Sequence, residues 1–326
     1  MLRTRIIGTG HHLPERVVTN DDLSKVMDTN DEWIQQRTGI KTRHYADEGT
    51  GSSEIGVPAA QRALEDAGVE PDEIDCIVCT TVTPDHIFPS TGSLLQHKLG
   101  MKDTPAFDLN AACSGFIYGL TVADGLLRAG TFNTILMVAA ERVSNRLSYN
   151  RRDTAVLFGD GAAAIVLRAE EGENGLLMTY QGSDGGSSEI LMLEAGGSRT
   201  SITKDNVGGP DMEIQMDGKE LYKRAVVAFG SSVEKALAET GMSGDDIDIF
   251  VPHQANMRII SHAASRIGLP EDKIFANIDH VGNTVAASIP IALDEARAQG
   301  RIQEGSVVLM AAFGAGLTWG SAMMRW

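Results

Sequence analysis

One stretch of this chain occurs twice, and a duplicated plan limits the possible folds more than any single motif does. Ala63 to Asp75 (Ala-Leu-Glu-Asp-Ala-Gly-Val-Glu-Pro-Asp-Glu-Ile-Asp) aligns without gaps on Ala236 to Asp248, at an offset of 173 residues. Each copy reads as a helix ending at Gly, a turn and a buried strand, Cys76 to Val82 in the first and Ile249 to Val251 in the second. The order persists downstream. Lys98-Leu99-Gly100 followed by Ala106 to Leu109 matches Arg266-Ile267-Gly268 followed by Ile274 to Asn277, again helix, turn and strand. Leu136 to Ala140 recurs as Leu309 to Phe313, each an apolar run of strand length after a helical pattern and a Gly. Two similar halves are implied, 1–172 and 173–326, meeting near Glu170 to Asn174.

Strands alternating with helices of ten or more residues predict parallel sheets covered on both faces, an α/β class. In such sheets sites form where strands finish and helices begin, and two similar halves place the natural cleft between them. The segment from Gln181 to Gly218 has no partner in the first half and is rich in Gly and polar residues, so it reads as an inserted, lid-forming loop.

Composition narrows the function classes. The chain has 326 residues and a globular balance of 42% hydrophobic and 22% charged residues. Its net charge of −16 repels phosphate over most of the surface, a poor basis for nucleic-acid binding, so an anionic ligand needs a local basic patch. No apolar run reaches the length of a membrane span and Met1 to Gly10 has no apolar signal core, which makes the cytoplasm the expected compartment. Three cysteines, an odd number, do not build a disulfide framework, so each is weighed as core or as chemistry.

Cys113 lies in Asp108-Leu-Asn-Ala-Ala-Cys-Ser-Gly-Phe116, between a predicted strand and a helix with Ile117, Leu120 and Leu127 on its apolar face. A helix N-terminus favours thiolate over thiol, and small neighbours leave room for a substrate; the alternative is a buried cysteine acting as a small hydrophobe. Cys76 and Cys79 spell C-x-x-C, but residues three apart in a strand face opposite ways, so they read as core and not as a metal or redox pair. His253 follows the strand ending at Pro252 and precedes a helix with Ile259, Ile260 and Ile267 on one side; it could equally be a loop histidine satisfied by hydrogen bonds. Asn283 follows the expected strand around Phe275 to Ile278 and precedes a helix starting near Ala286, where it could be a simple N-cap.

Together these three suggest more than each does alone, because a thiol, an imidazole and an amide all fall on strand-to-helix turns of a duplicated fold. A thiolate can take an acyl group from a thioester, the leaving thiol being of similar basicity. Two neutral N–H donors can stabilise the enolate formed when a malonyl group loses carbon dioxide. Neither step calls for a metal or an organic cofactor. The same residue order would suit a cysteine peptidase, but the local peptidase signature is missing and the doubled sheet plan is wrong for that class. Phe313 to Gly320 reads as two strands joined by a small-residue turn, either a plain hairpin or one whose N–H groups join that of Cys113 in an oxyanion hole. Phe158-Gly159-Asp160-Gly161-Ala162 reads as a hairpin without chemistry.

At these residues the sequence resembles the β-ketoacyl-acyl-carrier-protein synthase III family, over essentially the whole chain. The likeness rests on Gly8-Thr9-Gly10, Asp31 to Ile34 with Arg37 to Ile40, Asn110 to Phe116, Gly159 to Ala162, Pro252 to Asn256 and Gly282-Asn283-Thr284. It implies a thiolase-like fold of five layers, αβαβα, and an acyltransferase that condenses a short acyl-CoA with malonyl-acyl carrier protein to start fatty-acid synthesis. Cys113 would be acylated, and His253 and Asn283 would assist decarboxylation. It further implies an oxyanion hole from the backbone of Cys113 and Ala315, and CoA held by Thr29, Trp33, Arg37 and Arg152 with the adenine between Trp33 and Arg152. Carrier protein would meet Gln254, Ala255, Asn256, Met257 and Arg258, with Arg37 and Arg266 as further positive charge. Leu157 and Phe158 would line the acyl pocket, closed across a homodimer by Phe88. Two departures stand out: Ala315 where the family has Gly, and the less typical Gln181 to Gly218 segment. A starter-selecting ketosynthase of a secondary pathway, an acyltransferase that stops after loading Cys113, and a non-catalytic carrier-binding protein are the rival readings.

Overall fold

The computed structural model describes residues 1–326. The chain opens with strand β1 (Leu2–His12) and a hairpin, β2 (Arg16–Thr19) and β3 (Thr42–Tyr45), that encloses helices α1 (Asn20–Ser24) and α2 (Asp31–Thr38). Helix α3 (Ser52–Ala67), β4 (Cys76–Thr80), α4 (Thr91–Lys98), β5 (Ala106–Leu109), α5 (Gly115–Arg128), β6 (Thr134–Glu141), α6 (Arg152–Ala155) and β7 (Gly161–Glu171) follow. Next come β8 (Gly175–Ser183), the short pair β9 (Leu191–Met192) and β10 (Gln215–Met216), and α7 (Gly218–Thr240). The chain ends with β11 (Ile249–Pro252), α8 (Met257–Arg266), α9 (Ile278–Val281), α10 (Ser288–Ala298), β12 (Val307–Gly314) and β13 (Thr318–Arg325).

The offset of 173 residues governs far more than the aligned segment. It carries the start of β4 onto β11, the end of α3 onto α7, the start of β6 onto β12 and the start of α5 onto α10. One sheet has the order β1-β7-β6-β4-β5, the other β8-β13-β12-β11. A fifth partner in the second sheet is reduced to a single bridge between Phe250 and Ile274, where the first has β4 beside β5. The strand expected around Phe275 to Ile278 does not form, because the side-chain oxygen of Gln254 takes the N–H groups of Asn277 and Ile278. Each sheet is mixed, not parallel throughout: β4 runs parallel to β5 and β6, and β11 to β12, whereas β7 and β13 return antiparallel.

Strand alternation distributes the core. Ile135 and Met137 face a central cluster with α5, α10 and the second sheet, while Leu136, Val138 and Ala140 face α3 and α4. In the second sheet Val308, Met310 and Ala312 point to the same central layer, and Leu309, Ala311 and Phe313 point to α7 and α8. Five layers result, helix, sheet, helix, sheet, helix, with α5 and α10 sandwiched in the middle. Cys76 faces the central layer and Cys79 the outer one, both buried, as the strand period predicts. The Phe158–Ala162 hairpin is not there. Phe158 bridges Asn283 instead, and buried Asp160 accepts hydrogen bonds from the backbone of Ala46 and from the backbone and hydroxyl of Ser144. No helix is long and apolar enough to cross a membrane.

Candidate active site

The two helices of the central layer begin at mirrored turns, and the chemistry sits there. Ala112 before α5 and Val285 before α10, related by the same offset, both adopt the left-handed region, φ 47° and 53°. In both turns an Asn side-chain oxygen accepts the N–H two residues on: Asn110 from Ala112 (3.2 Å) and Asn283 from Val285 (2.9 Å). For Asn283 this bond spends the oxygen on the backbone and leaves the NH2 as the free end. The N-cap-like role of Asn283 and its availability as a donor are therefore compatible.

Cys113 is seated in a 3-10 turn, Ala112–Ser114, that runs into α5. The β12–β13 hairpin crosses directly over it. A Cβ added to Gly314 would stand 2.6 Å from the Cβ and 2.8 Å from the N of Cys113, so no side chain fits there. The backbone N–H groups of Cys113 and Ala315 face the sulfur. The left-handed angle in that loop falls on Gly316, φ 132°, and not on Ala315, which is why a methyl group is tolerated where the resemblance implies glycine. The thiol is not acidic at rest. Burial, then the negative charge of Glu141, push it up to about 12, against the expectation of a thiolate at a helix N-terminus, and the two N–H groups offset only part of this. Gly314→Ala should lower acylation of Cys113 by about 10²-fold through displacement of the sulfur from those donors, with intact-protein mass spectrometry as the readout and a melting curve as the folding control; wild-type acylation would show the crossing to be slack.

His253 follows β11, and its own N–H is anchored on Ala311 O at 2.8 Å. Its Nδ1 lies 2.6 Å from Ser288 Oγ, which also accepts the N–H of Gln254 (3.4 Å). With the Ser288 hydroxyl as the donor to Nδ1, the imidazole proton sits on Nε2, the nitrogen that faces the cavity side of the ring. Nε2 is buried without a partner. Burial alone pulls the imidazole down to about 3, so His253 is a neutral donor throughout the physiological range.

Cys113, His253 and Asn283 line one cavity, together with Leu157, Phe158, Tyr222, Asn256 and Gly314. On the other side of Cys113 lies an apolar cavity of about 140 Å³ walled by Val82, Val143, Phe158, Ile214 and Ala315. The Gln181 to Gly218 segment roofs both: β9 and β10 supply Leu191, Met192 and Met216. Sequence reasoning missed Ser288, which orients the imidazole, and Glu141. Glu141 closes an otherwise apolar strand run, which was its visible signal. It is buried beneath the site, accepts bonds from Thr83 Oγ1 (2.6 Å), Thr81 Oγ1 and the Val82 N–H (3.2 Å each), and is pushed up by burial to about 7.

The remaining expected residues divide. Trp33 and Arg37 share one face of α2, with Arg37 5.2 Å from the ring centre. Arg152 already stacks on Trp33 at 4.3 Å and donates to Asp28 O (2.8 Å), so there is no open slot for a base between them. Thr29 lies two residues before α2, its hydroxyl buried without a partner. Gln254 is not on a docking surface: it is 1% exposed and spends its amide on Pro252 O, Phe275 O and the N–H groups of Asn277 and Ile278. Ala255, Asn256 and Met257 are half-buried, Asn256 capping α8, and Arg258 alone of the segment is exposed, 5.5 Å from the Tyr222 ring. Arg266 is tied to Glu234 at 2.7 Å, which removes it as free positive charge. Phe88 is 85% exposed and lines neither cavity of its own chain.

Comparison with known proteins agrees with this architecture. Residues 107–185 match the family model described as 3-oxoacyl-[acyl-carrier-protein (ACP)] synthase III, and residues 237–326 match its C-terminal model. A Xanthomonas campestris protein named beta-ketoacyl-[acyl-carrier-protein] synthase III is 48% identical over 99% of this chain and 98% of its own length. One of the same name from Caldanaerobacter subterraneus is 45% identical over 98% of this chain and 97% of its own. The crystal structure of 3-oxoacyl-[acyl-carrier-protein] synthase III from Aquifex aeolicus superposes with a TM-score of 0.92 at 42% identity, covering 99% of this chain and all of that one. With two family models covering more than half of its length and full-length relatives well above 40% identity, the chain belongs to the 3-oxoacyl-[acyl-carrier-protein] synthase III family.

Proposed function

We propose that the protein is a decarboxylative condensing enzyme that joins a short acyl group from acyl-CoA, acetyl-CoA first, to malonyl-acyl carrier protein, giving 3-oxoacyl-acyl carrier protein and starting fatty-acid synthesis. The observation that carries this reading is a single cavity in which a buried thiol meets two neutral donors, His253 Nε2–H and Asn283 NH2. Cys113 sulfur attacks the thioester carbon, the bond to CoA sulfur breaks, and the thiol proton leaves with CoA as free thiol. The oxygen that turns anionic during this exchange is held by the N–H groups of Cys113 and Ala315. Malonyl-acyl carrier protein then binds, its carboxylate departs as carbon dioxide, and the enolate oxygen is met by His253 and Asn283. The enolate carbon attacks the acyl carbon, the bond to Cys113 sulfur breaks, and the thiolate released takes a proton from solvent water. Charge is met at each stage by N–H groups, so the steps call for neither a metal nor an organic cofactor.

The small apolar cavity beyond Cys113 supports a short primer. Trp33, Arg37 and Arg152 supply a flat surface and positive charge for CoA, with Arg152 swinging off the indole to admit the adenine. Arg258, exposed beside the cavity mouth at Tyr222 and Asn256, supplies the positive contact for an acidic carrier. Ile87 and Phe88, adjacent and 82% and 85% exposed, support a homodimer in which they cover a second copy. Free cysteines and carrier-bound substrates suit the cytoplasm.

Intact-protein mass spectrometry after incubation with mixed acyl-CoAs should show one short acyl group added, absent from Cys113→Ser, and malonyl-acyl carrier protein should then discharge it with release of carbon dioxide. An adduct with no malonyl-dependent carbon dioxide would reduce the protein to an acyltransferase; no adduct at all would leave only a binding role.

A further inference from the structure

Arg43, in β3, is fully buried, and its guanidinium meets no carboxylate. Nη1 donates to Val18 O (3.3 Å) and Asn20 Oδ1 (2.8 Å), and Nη2 donates to Val156 O (2.8 Å). A buried cation met only by neutral oxygens, with its Nε–H left without a partner, is costly, and an apolar side chain would fill the same volume more cheaply. What the guanidinium does that an apolar group cannot is span two separate segments with one rigid fork.

Those segments lead to the active site. Val156 begins the stretch Val156 to Gly159, which brackets Asn283: Asn283 N–H donates to Leu157 O (2.9 Å) and Gly159 N–H donates to Asn283 O (3.0 Å). The stem of Arg43 supports the same bracket from below. Its Cβ lies 3.1 Å from where a Cβ would stand at Gly159, and 3.1 Å from where one would stand at Gly282. Both glycines therefore lie flat on Arg43, one on each side of the bridge. At the far end of the fork, Asn20 passes its amide protons to Asp31 Oδ1 and Ile40 O (2.8 Å each), anchoring the assembly to both ends of α2. Cys113 packs on the Phe158 side chain of that stretch, but its backbone is located by other elements: β5, α5, Gly314 and the Thr318 hydroxyl on Ala111 O (2.9 Å).

From this we infer that Arg43 is the positioning residue for Asn283, setting the aim of its NH2 in the decarboxylation step while leaving the seat of Cys113 to other elements. The inference rests on the role proposed above for Asn283. A misplacement of about 1 Å costs on the order of 10²-fold in rate, so loss of the support is felt in kcat and not in carrier binding.

The test measures two half-reactions in Arg43→Met and Arg43→Lys beside Asn283→Ala: acetylation of Cys113 at saturating acetyl-CoA, read by intact mass, and carbon dioxide release from malonyl-acyl carrier protein, with kcat and KM separated. Arg43→Met should lose about 30-fold in decarboxylation kcat at unchanged KM, with acetylation within about threefold of wild type. Arg43→Lys, which keeps stem and charge but cannot span both acceptors, should fall between and carries the test if the Met variant does not fold. Equal losses in both half-reactions, full decarboxylation in a folded variant, or failure of both variants to fold would overturn the inference. If Asn283→Ala itself decarboxylates normally, the role of Asn283 fails; if only the Arg43 variants do, the inference fails alone.

Discussion

Cys113→Ala is expected to abolish formation of 3-oxoacyl product from acetyl-CoA and malonyl-acyl carrier protein, a fall of at least about 10³-fold in the coupled assay, because no other thiol can replace it. Cys76 and Cys79 are buried in β4, facing the cores of two different layers. Decarboxylation of malonyl-acyl carrier protein should persist in this variant, since His253 and Asn283 do not depend on the sulfur for their orientation. The wild-type acylation step carries a pH signature of its own. With the thiol held at about 12 by burial and by Glu141, the thiolate is a small fraction near neutrality, and each unit of rising pH multiplies it tenfold. Alkylation of Cys113 by iodoacetamide should therefore climb steadily from pH 6 to pH 9 without a plateau. A plateau in that window would mean that the helix N-terminus and the two N–H groups outweigh desolvation, the opposite balance to the one described.

The duplicated plan was readable because the starts of β4, α5 and β6 and the end of α3 recur at one offset, and the end of α4 recurs at a slightly shorter one at the end of α8, so local matches reported a global one. Cys113, His253 and Asn283 could be singled out because each stands shortly ahead of a helix in a turn marked by small residues, Gly or Asn, although the element before Asn283 is helix α9 and not the strand expected there. Side-chain captures of backbone left no such mark. The family resemblance implies a docking surface at Gln254, yet its amide satisfies four backbone groups and thereby cancels the strand expected at Phe275 to Ile278. Arg43 sits among Lys41, Thr42 and His44, a polar stretch that reads as an exposed edge, and only the fold reveals it as buried beneath Asn283. The acidity of Cys113 was likewise unreadable, because the placement of the thiol in the fold, and not the residues flanking it, decides how much water it loses.

Removing either of the two donors proposed for the enolate, His253 or Asn283, is expected to have the second largest effect. His253→Ala and Asn283→Ala should each lower malonyl decarboxylation by about 10²- to 10³-fold, the loss seen when one preorganised donor to a developing oxyanion is deleted. The double variant should fall by less than the product of the two, because both groups serve one oxygen and the second has little left to stabilise once the first is gone. The charge state of His253 decides which replacement can rescue. Its imidazole, at about 3, is neutral above that pH, so it donates Nε2–H without a titration between pH 5 and pH 8. His253→Gln, which keeps an N–H donor but can never be cationic, should recover a measurable part of the rate, and the wild-type profile should show no inflection near the ordinary imidazole value. If an inflection near pH 6.5 is present in wild type and vanishes in His253→Gln, the step uses an imidazolium. Ser288 would then be expected to accept a proton from Nδ1, not donate one, and Ser288→Ala would weaken the cation, not merely loosen the ring. With a neutral imidazole the same variant leaves charge untouched and costs only orientation, so the two cases separate in the pH profile of Ser288→Ala as well as in that of the histidine.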